Sequence, residues 1–231
     1  MNRWQMARAA FLVCGLAAGL VGCGGGGDEA AKTIPATQVC DGRISSAGAA
    51  SVEFLTGTKK FSPSGNDLSD VTLPKVAAAL SNEWVPKEGG NPIPKPACAI
   101  TTLKGGSAEL SVGFSTTTSE SADGPVADTL KKYDVGRRAL VGVARAYLYF
   151  DCASPKFYGS TQQKPAVVLG QLTNNAEGQG RYHPKGGEEK VREANLTVLH
   201  SLSLVMAKEL GCVGNAGLTS DSTFRPGAEA T

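Results

Sequence analysis

Four cysteines, Cys40, Cys98, Cys152 and Cys212, are spread through the body of this 231-residue chain and constrain its fold more than any other feature. No two of them are close in sequence, so the Cys-x-x-Cys or Cys/His spacing of a zinc site is missing, and neither a metal nor another cofactor is expected. An even number of cysteines in an exported chain implies disulfides, and four allow three connectivities. Sequence alone leaves the three open. The favoured pairing is Cys40–Cys98 with Cys152–Cys212, because each bond then closes a loop of similar length within its own half. By loop entropy each closure would stabilise the fold by about 4 kcal/mol.

The two other cysteines belong to the amino terminus. Arg3 and Arg8 precede an apolar run from Ala9 to Val21 that contains Cys14. This is the charged-then-apolar order of an export signal, and the run is shorter than the roughly 20 residues needed to cross a bilayer. Leu20-Val21-Gly22-Cys23 resembles the lipobox of bacterial lipoproteins. That resemblance implies alkylation of the Cys23 thiol by diacylglycerol, cleavage of residues 1–22, and retention at the outer face of the cell membrane. A single acyl chain of myristoyl length binds only marginally, so two chains on one cysteine make the stable anchor. Cleavage removes Arg3 and Arg8 and no acid, taking the basic residues from 23 to 21 against 21 acidic ones. A nearly neutral chain with no Lys/Arg cluster longer than a pair argues against nucleic acid as a partner. Contact with the membrane is expected through lipid.

Residues 23–38 open with four glycines after Cys23 and show no apolar period, which reads as a flexible tether. Residues 219–231 are similarly short of core residues and read as a disordered tail. Between them, residues 39–218 suit one extracytoplasmic domain or two small lobes.

Periodicity supplies the elements. Ser45 and Ser46 can cap a helix running to Thr56, with Ile44, Ala47, Ala50, Phe54 and Leu55 near one face and Gly57 as its stop. A second helix is expected from Leu73 to Trp84, capped by Ser69 or Asp70 and bounded by Pro86. Gly89 to Pro96 reads as a proline-stiffened loop. Cys98 to Leu103 and Ala108 to Thr116 read as strands around a hairpin turn at Lys104 to Ser107, and Thr117 to Asp123 as an exposed loop. Arg138 to Cys152 alternates throughout and predicts one long half-buried strand; Pro165 to Leu172 predicts another, followed by a loop at Asn174 to Gly180. The longest helix should run from Glu188 to Leu210 and stop at Gly211, its apolar stripe packing across a sheet. Strands in pairs with helices apart mean α+β: antiparallel sheet with a long C-terminal helix across it, stapled by disulfides.

Chemistry is sparse. The only histidines are His183 and His200. His200 lies within the long helix, where a packed or surface role outweighs that of a base. His183 follows Arg181 and Tyr182 in a loop that could hold an anion, although a plain solvated loop is the simpler reading. No Gly-x-Ser-x-Gly elbow, Ser-x-x-Lys, Gly-x-x-x-x-Gly-Lys-Ser/Thr or His-Glu-x-x-His pattern occurs. Glu188, Glu189 and Asp151 are available as paired carboxylates, but nothing in the sequence places them together: Glu188 and Glu189 suit a helix amino terminus better, and Asp151 sits at a strand end beside Cys152. Tyr147, Tyr149, Phe157 and Tyr158 gather aromatics around Cys152, and those facing outward could line a binding surface.

Cys40-Asp41-Gly42-Arg43-Ile44-Ser45, the helix end Leu55-Thr56-Gly57-Thr58-Lys59-Lys60-Phe61, and Ala144 to Cys152 together resemble uncharacterised actinobacterial surface lipoproteins. The shared features are structural cysteines and caps, so the resemblance implies a location and disulfides but no catalytic residue. The expected role is a non-enzymatic surface module that binds a protein, a cell-wall component or a small molecule. The alternative is an envelope hydrolase or transferase with an unfamiliar site, for example one using His183.

Overall fold

Short apolar-alternating segments make this fold an antiparallel sheet, and one long amphipathic helix covers it. The computed structural model describes residues 32–63, 71–86, 90–103, 109–175, 183–220 and 223–227. Its helices are α1 (Ser46–Thr56), α2 (Leu73–Glu83), α3 (Ser119–Ala122) and α4 (Gly187–Leu210). Its strands are β1 (Lys95–Ile100), β2 (Leu110–Thr117), β3 (Lys131–Tyr133), β4 (Arg138–Val141), β5 (Arg145–Cys152) and β6 (Ala166–Asn174). The six strands form one sheet in the order β1-β2-β6-β5-β4-β3, antiparallel throughout.

Helix α4 lies on one face of this sheet, touching β4, β5 and β6, and is flanked by α1 and α2. Two glycines permit the close approach. A Cβ on Gly170 would come within 2.9 Å of Ser203 Oγ and 3.1 Å of Leu199 Cδ1, so α4 seats directly on β6. A Cβ on Gly48 would lie 2.7 Å from Ile44 Cγ1 and 3.1 Å from Ser201 Cβ, so α1 seats on α4. The α1–α4 contact decides which face of α1 is buried. Gly48, Ala49, Val52 and Leu55 point inward, whereas Ala50, expected on the buried face, is exposed. The caps fall as the sequence predicts at both ends: Ser45 Oγ accepts from the Gly48 N–H, and Gly57 ends α1 with φ 66°. The Ser45 N–H donates to Ser201 Oγ at 2.7 Å, fixing the start of α1 to the middle of α4.

Two disulfides are present, Cys40–Cys98 and Cys152–Cys212, with Cα separations of 5.2 and 4.8 Å. The first ties a 3-10 turn at Cys40–Gly42 to edge strand β1. The second ties the end of β5 to the residue beyond the Gly211 cap of α4. Between the staples the buried side chains form one continuous cluster, with Phe114, Phe150, Leu148, Leu172, Val198, Leu199 and Leu202 at its centre.

Several sequence expectations are corrected. Arg138 to Cys152 is two strands rather than one, because the Gly142 N–H reaches Arg145 O at 2.8 Å and the chain reverses. The reversal places Leu140 opposite Tyr147, on the face away from Leu148. The segment after Thr117 is not wholly loop: Thr118 Oγ1 accepts from the Ser121 N–H and starts α3, whose Ala122 is fully buried. β1 begins at Lys95, inside the proline-rich stretch, and Pro96 is accommodated at an edge-strand bulge. Thr72 stands at the N-cap position of α2 without a side-chain capping bond, and Pro74 lies in the first turn; Ser69 and Asp70 lie outside the described residues, as do the turn at 104–107 and positions 176–182.

The packed body also extends beyond residues 39–218. Ile34 and Phe61 exchange backbone hydrogen bonds of 3.0 Å and Ala36 is buried, so the stretch from Ile34 to Gln38 belongs to the fold rather than to a tether. At the other end the Gly227 N–H donates to Lys132 O and the Asp134 N–H to Arg225 O, which lays residues 225–227 along the outer edge of β3. An open row of β3 amides and carbonyls is thereby paired.

Candidate functional site

Because successive strand side chains point to opposite faces, burying Ala146, Leu148, Phe150 and Cys152 of β5 against α4 turns Arg145, Tyr147, Tyr149 and Asp151 to the other face. The register carries this outer face across the sheet. Tyr147 stands between Gln171 and Leu140, and Tyr149 between Leu169 and Arg138. Beyond them lie Gly113 and Ser115 of β2, opposite Gln171 and Leu169. Tyr147, Tyr149 and Leu169 are each half-buried and form an apolar strip on the face away from α4, whereas Leu140, Ser115 and Val167 on the same face are buried.

Charge is distributed unevenly around the strip. The Arg138 guanidinium sits 5.5 Å from the Tyr149 ring centroid and donates to Gly124 O at 2.9 Å. Burial pushes the Tyr149 phenol above its ordinary pKa, with Arg138 opposing the shift. Arg137 bridges Asp123 and Asp151, the latter at 3.0 Å, and its hydrogen bond holds the Asp123 carboxyl below the usual carboxylate range. Arg145 and Lys132 are exposed at the margins and form no ion pair with described residues.

At one end this face runs into a cleft of about 250 Å³, lined by Trp84, Thr117, Thr118, Ser119, Glu120, Pro165 and Val167. Thr117 and Val167 are cross-strand partners in the last outer row, and Asp151 continues that row on β5. Trp84 follows directly after α2, and its indole is held edge-on by buried Phe157, with centroids 5.5 Å apart and ring planes at 62°. The aromatic residues around Cys152 are therefore divided. Phe157 enters the core and orients Trp84, Tyr147 and Tyr149 line the outer face, and Tyr158 projects alone, 84% exposed. Neither Trp84 nor Glu120 was singled out by sequence as a site residue. Trp84 read as the last apolar position of a helix, and Glu120 as part of an acidic loop.

The remaining sequence candidates are not gathered into one site. His200 is buried on α4, its ring edge-on to Phe224 at 5.3 Å, and serves packing. His183 is exposed ahead of α4, while Arg181 lies outside the described residues. Glu188 and Glu189 occupy the first turn of α4 and pair with Arg192; Glu189 also pairs with Lys131 and accepts from Tyr133 Oη at 2.7 Å. Asp151 is held by Arg137. Among the described residues no group of three or more His, Cys, Asp or Glu side chains could hold a metal ion, and no helix is long and apolar enough to cross a membrane. Cys23 lies outside the described residues. The four cysteines among the described residues are consumed in disulfides, which suggests an oxidising, extracytoplasmic environment. No protein-family model, curated protein or solved structure matches the chain.

Proposed function

We propose that this chain is a lipoprotein anchored through acylated Cys23 at the outer face of a bacterial membrane, and that its folded body is a binding module for a component of the cell envelope. The observation that carries the binding reading is the half-buried apolar strip on the outer sheet face, left partly open while Leu140, Ser115 and Val167 on the same face are buried. Tyr147, Tyr149 and Leu169 stand there in adjacent rows, flanked by the unpaired cations Arg145 and Lys132. A sheet face needed only for solubility would carry small polar and charged residues at these positions. The disulfides hold the two halves of the body rigid behind this face, so little ordering is required when a ligand docks. The apolar run ending at Leu20-Val21-Gly22-Cys23 supports the anchor.

Two measurements test the proposal. Intact mass of the membrane-fraction protein should show a chain beginning at Cys23 with added acyl mass; a different amino terminus, or no acyl mass, overturns the anchor. Envelope fragments should be retained by the immobilised folded protein and lost from a Tyr147→Ala/Tyr149→Ala variant of unchanged circular dichroism. Retention indifferent both to this substitution and to reduction of the disulfides contradicts the binding reading.

A further inference from the structure

The cleft at the end of the outer face has a definite chemical character. One wall is the partly exposed indole of Trp84, which cannot turn freely because Phe157 abuts it. The floor is Val167 and Pro165, and the opposite wall is the run Thr117-Thr118-Ser119-Glu120. Thr118 Oγ1 is occupied in capping α3, where it accepts from the Ser121 N–H at 3.2 Å and contacts Ser121 Oγ at 3.1 Å. The side-chain oxygens of Thr117, Ser119 and Glu120 are committed to no partner among the described residues. No lysine, arginine or histidine lines the cleft.

We propose that this cleft binds one pyranose ring of an uncharged envelope saccharide, stacked on Trp84 and hydrogen-bonded through its hydroxyls to Glu120, Ser119 and Thr117. The proposal rests on the binding-module reading and names its ligand class. A pyranose offers a face of axial C–H groups that are apolar and weakly positive, which matches the negative face of an indole. Its edge offers several O–H donors, which match an ionised carboxylate that can only accept and hydroxyls that both donate and accept. The volume is also discriminating. A cleft of about 250 Å³ falls below the roughly 300–1,000 Å³ of sites for drug-sized ligands, and so suits a single ring. Anionic ligands are disfavoured because the only charge in the lining is the Glu120 carboxylate. An ammonium ligand would use Trp84 and Glu120 but leave the hydroxyls of Thr117 and Ser119 unused.

The chain has two tryptophans, Trp4 and Trp84, and Trp4 falls in the residues 1–22 that the proposed cleavage removes, so the mature protein, or an uncleaved chain carrying Trp4→Phe, has Trp84 as its single indole and its emission reports on the cleft. The probes are neutral mono- and oligosaccharides released from the envelope of the parent cell, with tetramethylammonium and envelope peptides as comparison arms. The expected result is a saturable change in Trp84 emission with a neutral saccharide, weakened about tenfold by Glu120→Gln through loss of a charge-assisted acceptor. Glu120 is exposed, so that variant folds; Ser119→Ala should weaken binding less. No saturable change with any neutral saccharide overturns the proposal, as does saccharide binding indifferent to Glu120→Gln. Saturation by tetramethylammonium or a peptide in place of saccharide also overturns it, yet leaves the binding-module reading standing. If no arm binds and the Tyr147/Tyr149 variant retains envelope fragments like the parent protein, both readings fall.

Discussion

Gly170 shows how one residue sets the spacing of a layer. Its missing side chain lets Ser203, Phe114 and Leu199 close over β6, all within 3.1 Å of where a Cβ would stand. Gly170→Ala must push α4 off the sheet or distort those neighbours, and overpacking of this kind costs about 1–3 kcal/mol. Denaturant unfolding should show the loss as a lower midpoint. A second residue-scale device is the Tyr133–Glu189 bond of 2.7 Å, which fixes short strand β3 to the first turn of α4. The Tyr133 and Lys131 hydrogen bonds lower the Glu189 pKa, while burial raises that of Tyr133. A depressed carboxylate pKa stabilises the fold above the unfolded value near 4.3 and ceases to do so as pH falls through the folded value. Tyr133→Phe should therefore move the Glu189 titration upward, measured by carbon NMR, and reduce the steepness of acid destabilisation below about pH 4. An unshifted Glu189 would mean that Lys131 and Arg192 set it without Tyr133.

Among elements, helices were the most legible and short strands the least. Ser45 and Gly57 bracket α1, and Gly211 ends α4, because caps are local chemistry readable one residue at a time. The buried face of α1 was not readable, because Gly48 is selected by contact with Ser201, 153 positions along the chain. β3 was missed because Lys131-Lys132-Tyr133 is short and charged and becomes a strand only through its neighbours on both sides. The Gly142 reversal was missed because Arg138 to Cys152 alternates without a break in sequence while the turn exchanges the faces. The Cys152–Cys212 bond reinforces a junction that Ser154 Oγ also holds by donating to Leu210 O and the Val213 N–H by donating to Ala153 O, and it closes a sequence separation of 60, so its removal should be costly. A Cys152→Ser/Cys212→Ser protein is expected to lose about 2–5 kcal/mol, visible as a lower thermal midpoint. The same pair of substitutions should speed amide exchange in the last turn of α4 more than in β2.

For the whole molecule, the asymmetry of the sheet matters most. One face is closed by α4, which itself is flanked by α1 and α2, and the other carries the tyrosine strip that ends in the Trp84 cleft. Sequence showed that aromatic residues crowd around Cys152, but not that Phe157 turns inward to brace Trp84. The cleft was illegible because residues 84, 117–120, 165 and 167 meet only once β2 and β6 are paired. Carbene footprinting of the full chain in native envelopes, compared with the purified folded protein, reads directly whether the tyrosine face is the one that meets a ligand. Labelling should fall in the envelope at Tyr147, Tyr149, Leu169 and Trp84, and stay unchanged at Ala50 on the exposed side of α1. Equal labelling in both settings, or protection confined to the helical side, would contradict binding through that face.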